Sequence, residues 1–403
     1  MKNVILITLD AMRKDVFGCY GAKTSCIPFL DSLQENCIRF SNAFSTGPYT
    51  QASFPGVLTS SYYLEYGKQK RLPSQKTLIS EVLKSKGITT AAFHSNPYLS
   101  AFFGYNRGWD VFYDSMEDEV SDVYPFIRGN HINNKVAGWL GSHVKANNSS
   151  PFFLWVHYMD IHEPYVPEKE YLQQVDSSID IDKQKMLALF KDVLLKRDVS
   201  NKQTVDLLRK LYNAKVLEVD YYLKEIFQTF KNSGILEDSV IIIGSDHGDE
   251  FDEHGGLSHD GKMYSELVGV PLFIFEQGRE NAEVYQPAVS NIDIAPTIAS
   301  LFGIENVESF KGSSLLPLEG YSPKACCGEG MNKRGNKEKE TDRPIYYYLE
   351  ENMKTIFDQG KEYWELYDLQ QDPEESNNIV ESSPKAEQLK GKLKNWISSH
   401  TRT

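Results

Sequence analysis

VILITLD, residues 4–10, is a run of six apolar or β-branched residues that ends on an acid. VIIIGSDHGDE, residues 240–250, repeats the design and delivers Asp246 with His247 beside it. Runs this short, without polar alternation, read as strands covered on both faces of a parallel sheet. Thr89–Phe93 and Phe152–His157 have the same character. Between these runs lie stretches of helical periodicity, TLISEVLKSKG (77–87) and LLRKLYNAKVLEVDYYLKEIFQTFKNSG (207–234), the second closed by a glycine. Strands alternating with helices predict an α/β fold whose large, mostly parallel sheet is flanked by helices. In such sheets ligands bind beyond the carboxyl ends of the strands, where Asp10 and Asp246 are expected. Either aspartate alone reads equally well as a helix N-cap. An Asp-His pair at a strand end reads as a mixed oxygen and nitrogen site for a divalent cation.

The chain has 403 residues, enough for one large domain and a smaller one. Residues 1–321 are expected to form the catalytic α/β domain and 344–403 a small C-terminal α+β subdomain. The segment between, SPKACCGEGMNKRGNKEKETDR (322–343), is polar, Gly-containing and charged, and is expected as an exposed loop or linker. PIYYYLEENMKTIFDQGKEYWELYDL, which follows, predicts short strands joined by turns, and an amphipathic helix is expected near 384–398. A net charge of −13 argues against nucleic-acid binding. No apolar run approaches the roughly 20 residues of a membrane span. MKNVILITLD lacks a small-residue cleavage site and reads as a strand rather than a signal peptide, so the cytoplasm is the expected location. The five cysteines include no C-x-x-C pair and indicate neither a disulfide framework nor a zinc site.

Three further clusters bear on chemistry. PFFLWVHYMDIHEPYVP runs from a strand into His157, Asp160 and His162. EHGGLSHDGKMYSE carries His254, His259 and Lys262, of which His254 reads as a surface-loop residue. GPYTQASFPGVLTS, residues 47–60, places Thr50 and Ser53 where a helix begins. A helix dipole contributes only about 0.3–1 kcal/mol, whereas ionising an alcohol near neutral pH costs roughly 11 kcal/mol. A divalent metal can supply that difference, since it lowers the pKa of bound water from about 15.7 to about 7. A nucleophilic hydroxyl here therefore requires a metal beside it, with Asp10, Asp246 and His247 as holders.

LDAMRKDVFGCYG, HYMDIHEPYVP, GSDHGDEFDEHGGLSH, VSNIDIAPTIASLFGI and ELYDLQQDPEESNNI resemble, in order, the signatures of sulfatase-like enzymes of the alkaline-phosphatase superfamily. The resemblance runs from Val4 to about Ile379. It implies a large α/β domain, a small C-terminal subdomain, and a metal-bound nucleophile that attacks a sulfate or phosphate ester. By motif, Asp10, Asp246 and His247 match metal ligands, and His162 matches the histidine near the leaving group. His259 and Lys262 lie in the segment that offers the anion a histidine or lysine. The formylglycine motif C-x-P-S-R is missing. Alignment on Leu58-Thr59 puts Thr50 at the nucleophile position, with Ala52 for the motif proline and Phe54 for its arginine. Ser53, in a register that mimics the T-F-P of nucleotide pyrophosphatases, is the alternative. Ala11 replaces the second aspartate of the first pair. A second metal would need an Asp in place of Tyr158, with Asp160 or His259 as substitutes.

The resemblance therefore implies one divalent ion held by Asp10, Thr50, Asp246 and His247, Mn2+ ahead of Ca2+, Zn2+ or Mg2+. It implies a hydrolase for small anionic esters, carbohydrate- or lipid-linked among them, with phosphoesters ahead of sulfate esters. His162 serves the leaving oxygen, and His259 and Lys262 the non-bridging oxygens. An arylsulfatase, a phospho-alcohol transferase and a non-catalytic binding member are the alternatives. The sequence does not define an oligomeric state.

Overall fold

The four apolar runs fold as neighbours or near neighbours in one sheet. The computed structural model describes residues 1–121, 123–145, 150–259, 261–332 and 343–400. In chain order its strands begin β1 (Asn3–Leu9), β2 (Cys37–Phe44), β3 (Thr89–His94), β4 (Val111–Tyr113), β5 (Phe152–Tyr158) and β6 (Ser239–Ser245). A small ribbon, β7 (Glu250–Phe251) and β8 (Leu257–Ser258), precedes β9 (Gly269–Val270), β10 (Leu272–Glu276) and β11 (Glu283–Ser290). The main sheet has the order β11-β2-β10-β6-β1-β5-β3-β4, with β9 on β2. Along that path β10 alone runs antiparallel to its neighbours.

The unbroken apolar pattern of β1 has a direct cause: both of its faces are covered. Val4 and Leu6 pack with Phe54, Val57 and Leu58 of the helix Thr50–Thr59 and with Ile294 and Ile298 of the helix Ile294–Leu301. Ile5, Ile7 and Leu9 pack on the other face with Leu208, Leu211, Tyr212 and Leu223 of the helix Lys202–Asn232. Each such side chain, fully buried, contributes about 1.5–3 kcal/mol. The long helix begins at Asn201, whose side chain accepts from Thr204 N.

Register then positions the chemistry. In β1, between β5 and β6, Leu9 lies opposite both Tyr158 and Ser245. Asp10 and Asp246 therefore leave the sheet side by side, and Asp10 N donates to Tyr158 O at 2.9 Å.

The C-terminal part is a second, antiparallel sheet of β12 (Cys326–Asn332), β13 (Arg343–Glu350), β14 (Met353–Asp358) and β15 (Tyr363–Asp368), followed by the helix Ala386–His400. β12 corrects one expectation, because residues 326–332 fall inside the segment expected as a loop or linker. Its polar and glycine content serves close packing instead. A Cβ at Gly328 would lie 2.2 Å from the Tyr347 ring. The buried Glu329 carboxylate accepts from Leu64 N and pairs with His400 Nε2 at 2.7 Å. The remainder of the charged stretch, 333–342, lies outside the described residues. This sheet grips the chain entering the helix Thr50–Thr59: Glu329 N donates to Thr46 O, Met331 N to Tyr49 Oη and Tyr347 Oη to Ser45 O. Among the described residues no helix is long and apolar enough to cross a membrane.

Candidate active site

Thr50 is the first residue of its helix, after an extended Tyr49. The helix start is pinned where Asn291 Oδ1 accepts from Thr46 N, and Gly56 permits that approach, since a Cβ there would lie 2.3 Å from Thr46 Oγ1. Thr50 Oγ1 stands 3.4 Å from Asp10 Oδ2 and 3.4 Å from His247 Nε2. Ser53 is fully buried, and its hydroxyl donates back to Thr50 O. The helix thus turns Thr50, and not Ser53, toward the acids.

Asp10, Asp246 and His247 form one buried group whose ligand atoms lie within 4.8 Å of one another. Among the described residues neither Asp10 Oδ1 nor Asp246 Oδ2 receives a hydrogen bond, although both are fully buried. Each lies 3.5 Å from His247 Nε2. His247 Nδ1 donates to Gly248 O at 2.9 Å, which leaves the lone pair on Nε2 facing the carboxylates. Two orphaned buried oxygens and one oriented imidazole nitrogen are a donor set that fits a divalent cation.

The electrostatics agree. Burial, then the neighbouring Asp10 charge, push the Asp246 carboxyl well above the usual range. Burial acts upward on Asp10 as well, but the His157 hydrogen bond and the His162 and His247 charges hold it well below. Without a cation, two carboxylates this close cannot both ionise.

Three contacts had not been assigned from the sequence. Asn96 Nδ2 donates to Asp10 Oδ2 at 2.6 Å and to Thr50 Oγ1 at 3.3 Å. His157 Nε2 lies 3.3 Å from Asp10 Oδ2, while Nδ1 pairs with Thr8 Oγ1. Asp249, fully buried, pairs with His259 Nδ1 at 2.8 Å and accepts from Tyr165 Oη at 2.5 Å. The signal for His157 was its place near the carboxyl end of the apolar run 152–158, one residue short of the strand end. Asn96, two residues past β3, carried no such signal.

His162 and His259 join the site. The His259 ring lies 4.5 Å from His247 and 4.8 Å from His162. His162 Nδ1 donates to Glu163 O at 2.7 Å. Burial opposes its charge, but Asp10, Glu163 and Asp249 outweigh that and raise its pKa. Burial and the charges of His247 and His162 push His259 well below the imidazole value. The two histidines are therefore set apart, one as a proton donor and one as an acceptor.

Lys262 is held by a carboxylate. Its ammonium is bidentate on Glu250, at 2.7 and 2.6 Å, and also donates to His254 O, so its charge is matched by that carboxylate. His254 pairs with Glu266 and stacks on Tyr264, a structural role. Tyr158 Oη donates into the core at Asn133, and Asp160 faces Lys215 and Arg128 at 3.9 Å, so neither completes a second cation site. His247, Asp249 and His259 do form a second compact group of ligand atoms.

The sulfatase family model matches residues 2–304. The chain belongs to the sulfatase family. A model described as N-sulphoglucosamine sulphohydrolase, C-terminal, matches residues 253–403 of this sulfatase. The arylsulfatase of Clostridium perfringens is 20% identical, over 96% of this chain and 92% of its own. A solved structure in complex with its substrate D-glucosamine-2-N,6-O-disulfate superposes with a TM-score of 0.81 at 20% identity, covering 99% of this chain and 98% of that one. The phosphonate monoester hydrolase of Agrobacterium radiobacter superposes with a TM-score of 0.76 at 19% identity, covering 99% and 96%. The chain is thus a hydrolase of sulfate or phosphate esters, of a family that generally uses a divalent metal ion.

Proposed function

We propose that this sulfatase cleaves phosphoesters ahead of sulfate esters, with Thr50 as nucleophile. The observation that carries this reading is the contact of Thr50 Oγ1 with both Asp10 and His247, beside two orphaned carboxylate oxygens. A divalent cation, Mn2+ by preference, held by Asp10, Asp246 and His247, would supply the positive charge that lets an alcohol ionise near neutral pH. Asn96 and Asp10 orient the Thr50 hydroxyl, whose proton would pass to solvent as the alcohol ionises. The Thr50 oxygen bonds to phosphorus as the bond to the leaving oxygen breaks, and His162 Nε2 gives that oxygen a proton. Neutral His259, oriented by Asp249, then takes a proton from the water that displaces Thr50; the departing Thr50 oxygen regains a proton from solvent, and the proton on His259 returns to His162, whose ring lies 4.8 Å away.

Threonine carries a single oxygen on Cβ, so its ester is released only by a second displacement. That supports phosphorus, as does the likeness to a phosphonate monoester hydrolase. Sulfate esters are the second reading, favoured by the relative named arylsulfatase. A panel of p-nitrophenyl sulfate, phosphate, phosphodiester and phosphonate with Mn2+, Ca2+ and Zn2+, run on wild type and Thr50→Ala, tests both. Activity on sulfate alone overturns the preference for phosphorus, and accumulation of transfer product with added alcohol identifies a transferase.

A further inference from the structure

Next to the start of the Thr50 helix a shallow surface groove is lined by Gln51, Tyr63, Lys70, Arg71, Tyr98 and Phe103, among others. Two links tie it to the nucleophile. Gln51 follows Thr50 in the helix, and Tyr98 N donates to the side chain of Asn96, whose amide reaches Thr50 Oγ1.

The groove is unusual in charge and in exposed aromatic surface. In a chain of net charge −13, residues 68–71 read Lys-Gln-Lys-Arg, and all four are exposed. Arg71 Cζ stands 4.5 Å from the centre of the Phe102 ring, a cation–π contact. Among the described residues neither Lys70 nor Arg71 has a carboxylate partner. Tyr98 is 48% and Phe102 61% exposed. The rings of Tyr98 and Phe102 lie 5.4 and 5.0 Å from Phe103, forming one aromatic patch. Core packing does not account for large rings in water next to unpaired cations.

We propose that this groove is a subsite for a second, non-reacting anionic group on the substrate. A ring stacks on Tyr98 and Phe103, and its sulfate or phosphate is held by Lys70 and Arg71 while a separate ester is presented to Thr50. The preferred substrate is therefore a cyclic, sugar-like compound with at least two anionic groups. The proposal rests on Thr50 being the reacting centre.

The test is calorimetric binding to the Mn2+-loaded Thr50→Ala chain, where turnover cannot interfere. One series compares glucosamine-2-N,6-O-disulfate with glucosamine 6-sulfate, the other glucose 1,6-bisphosphate with glucose 1-phosphate. The doubly charged member of at least one series is expected to bind about ten-fold more tightly, and the series that shows it names the anion. The added substitutions Lys70→Ala and Arg71→Ala abolish the preference, whereas Lys196→Ala, an exposed lysine paired with Asp192, retains it. No preference in either series, or a preference that survives the double substitution in a chain of unchanged melting temperature, overturns the proposal. Wild type that cleaves none of the p-nitrophenyl esters but shows the charge-dependent preference would sink the esterase mechanism alone. Cleavage without that preference would sink the subsite alone.

Discussion

The side-chain amide of Asn96 holds Asp10: Nδ2 stands 2.6 Å from Oδ2, and the same nitrogen reaches the Thr50 hydroxyl at 3.3 Å. A single side chain, two positions beyond β3, thus orders both the anion and the alcohol. Asn96→Ala is expected to lower metal affinity or turnover about 10–100-fold, read from Mn2+ titration calorimetry and kcat on the best p-nitrophenyl ester. Wild-type values in both would show the amide to be dispensable.

Asp246 is the carboxyl driven upward by burial and by Asp10, which favours its neutral form, the form an amide imitates, in cation-free protein. Asp246→Asn should leave the melting temperature in EDTA nearly unchanged. It should also erase the stabilisation that Mn2+ gives wild type, about 2.7 kcal/mol at a hundred-fold excess over Kd and read as a rise in melting temperature. A Mn2+-induced rise that persists in the variant would remove Asp246 from the cation site.

His162 acts as an acid, and its pKa is raised because Asp10, Glu163 and Asp249 outweigh the opposing effect of burial. The protonated form is therefore present below that pKa and lost as pH rises through it. Turnover of alkyl esters, whose leaving oxygens need a proton, should fall on the alkaline side, above the ordinary imidazole value of about 6.5. His162→Gln should flatten that limb and lower kcat about 10²–10⁴-fold, with p-nitrophenyl esters affected less. Equal losses on both substrate types would argue against the acid role.

Asp160 has both oxygens without a hydrogen bond among the described residues. Burial, only partly offset by Lys215, pushes it up to about 6 from 3.8. Below about 4 the carboxyl is protonated folded and unfolded alike, and it costs nothing. Between about 4 and 6 the unfolded chain ionises first, so stability falls as pH rises, by at most about 3 kcal/mol. Asp160→Asn should therefore stabilise the protein at pH 8 and have little effect at pH 4, as denaturant unfolding at the two pH values would show. Destabilisation at pH 8 would mean that the Lys215 and Arg128 charges depend on the carboxylate.

The centre of the fold was legible because β1, β3, β5 and β6 are covered on both faces, which forces unbroken apolar runs. Acids placed directly after two of those runs then had to emerge together at one sheet edge. What the sequence hid are properties of pairing. Nothing in CCGEGMN reads as a strand, since its glycines and Glu329 answer to Tyr347, Leu64 and His400, residues far away in the chain. The partnership of Lys262 with Glu250, twelve residues apart across the β7–β8 ribbon, was equally hidden. Asn96 lacked a sequence signal of its own because its role follows from the register that sets β3 beside β5.

The central claim is that Thr50 carries the covalent intermediate. Rapid acid quench of the Mn2+-loaded enzyme during turnover, followed by peptide mass spectrometry, tests it most directly. A phospho or sulfo group on Thr50, absent in Thr50→Ala together with turnover, is the predicted result. An adduct on Ser53, or full activity in Thr50→Ala, would contradict it.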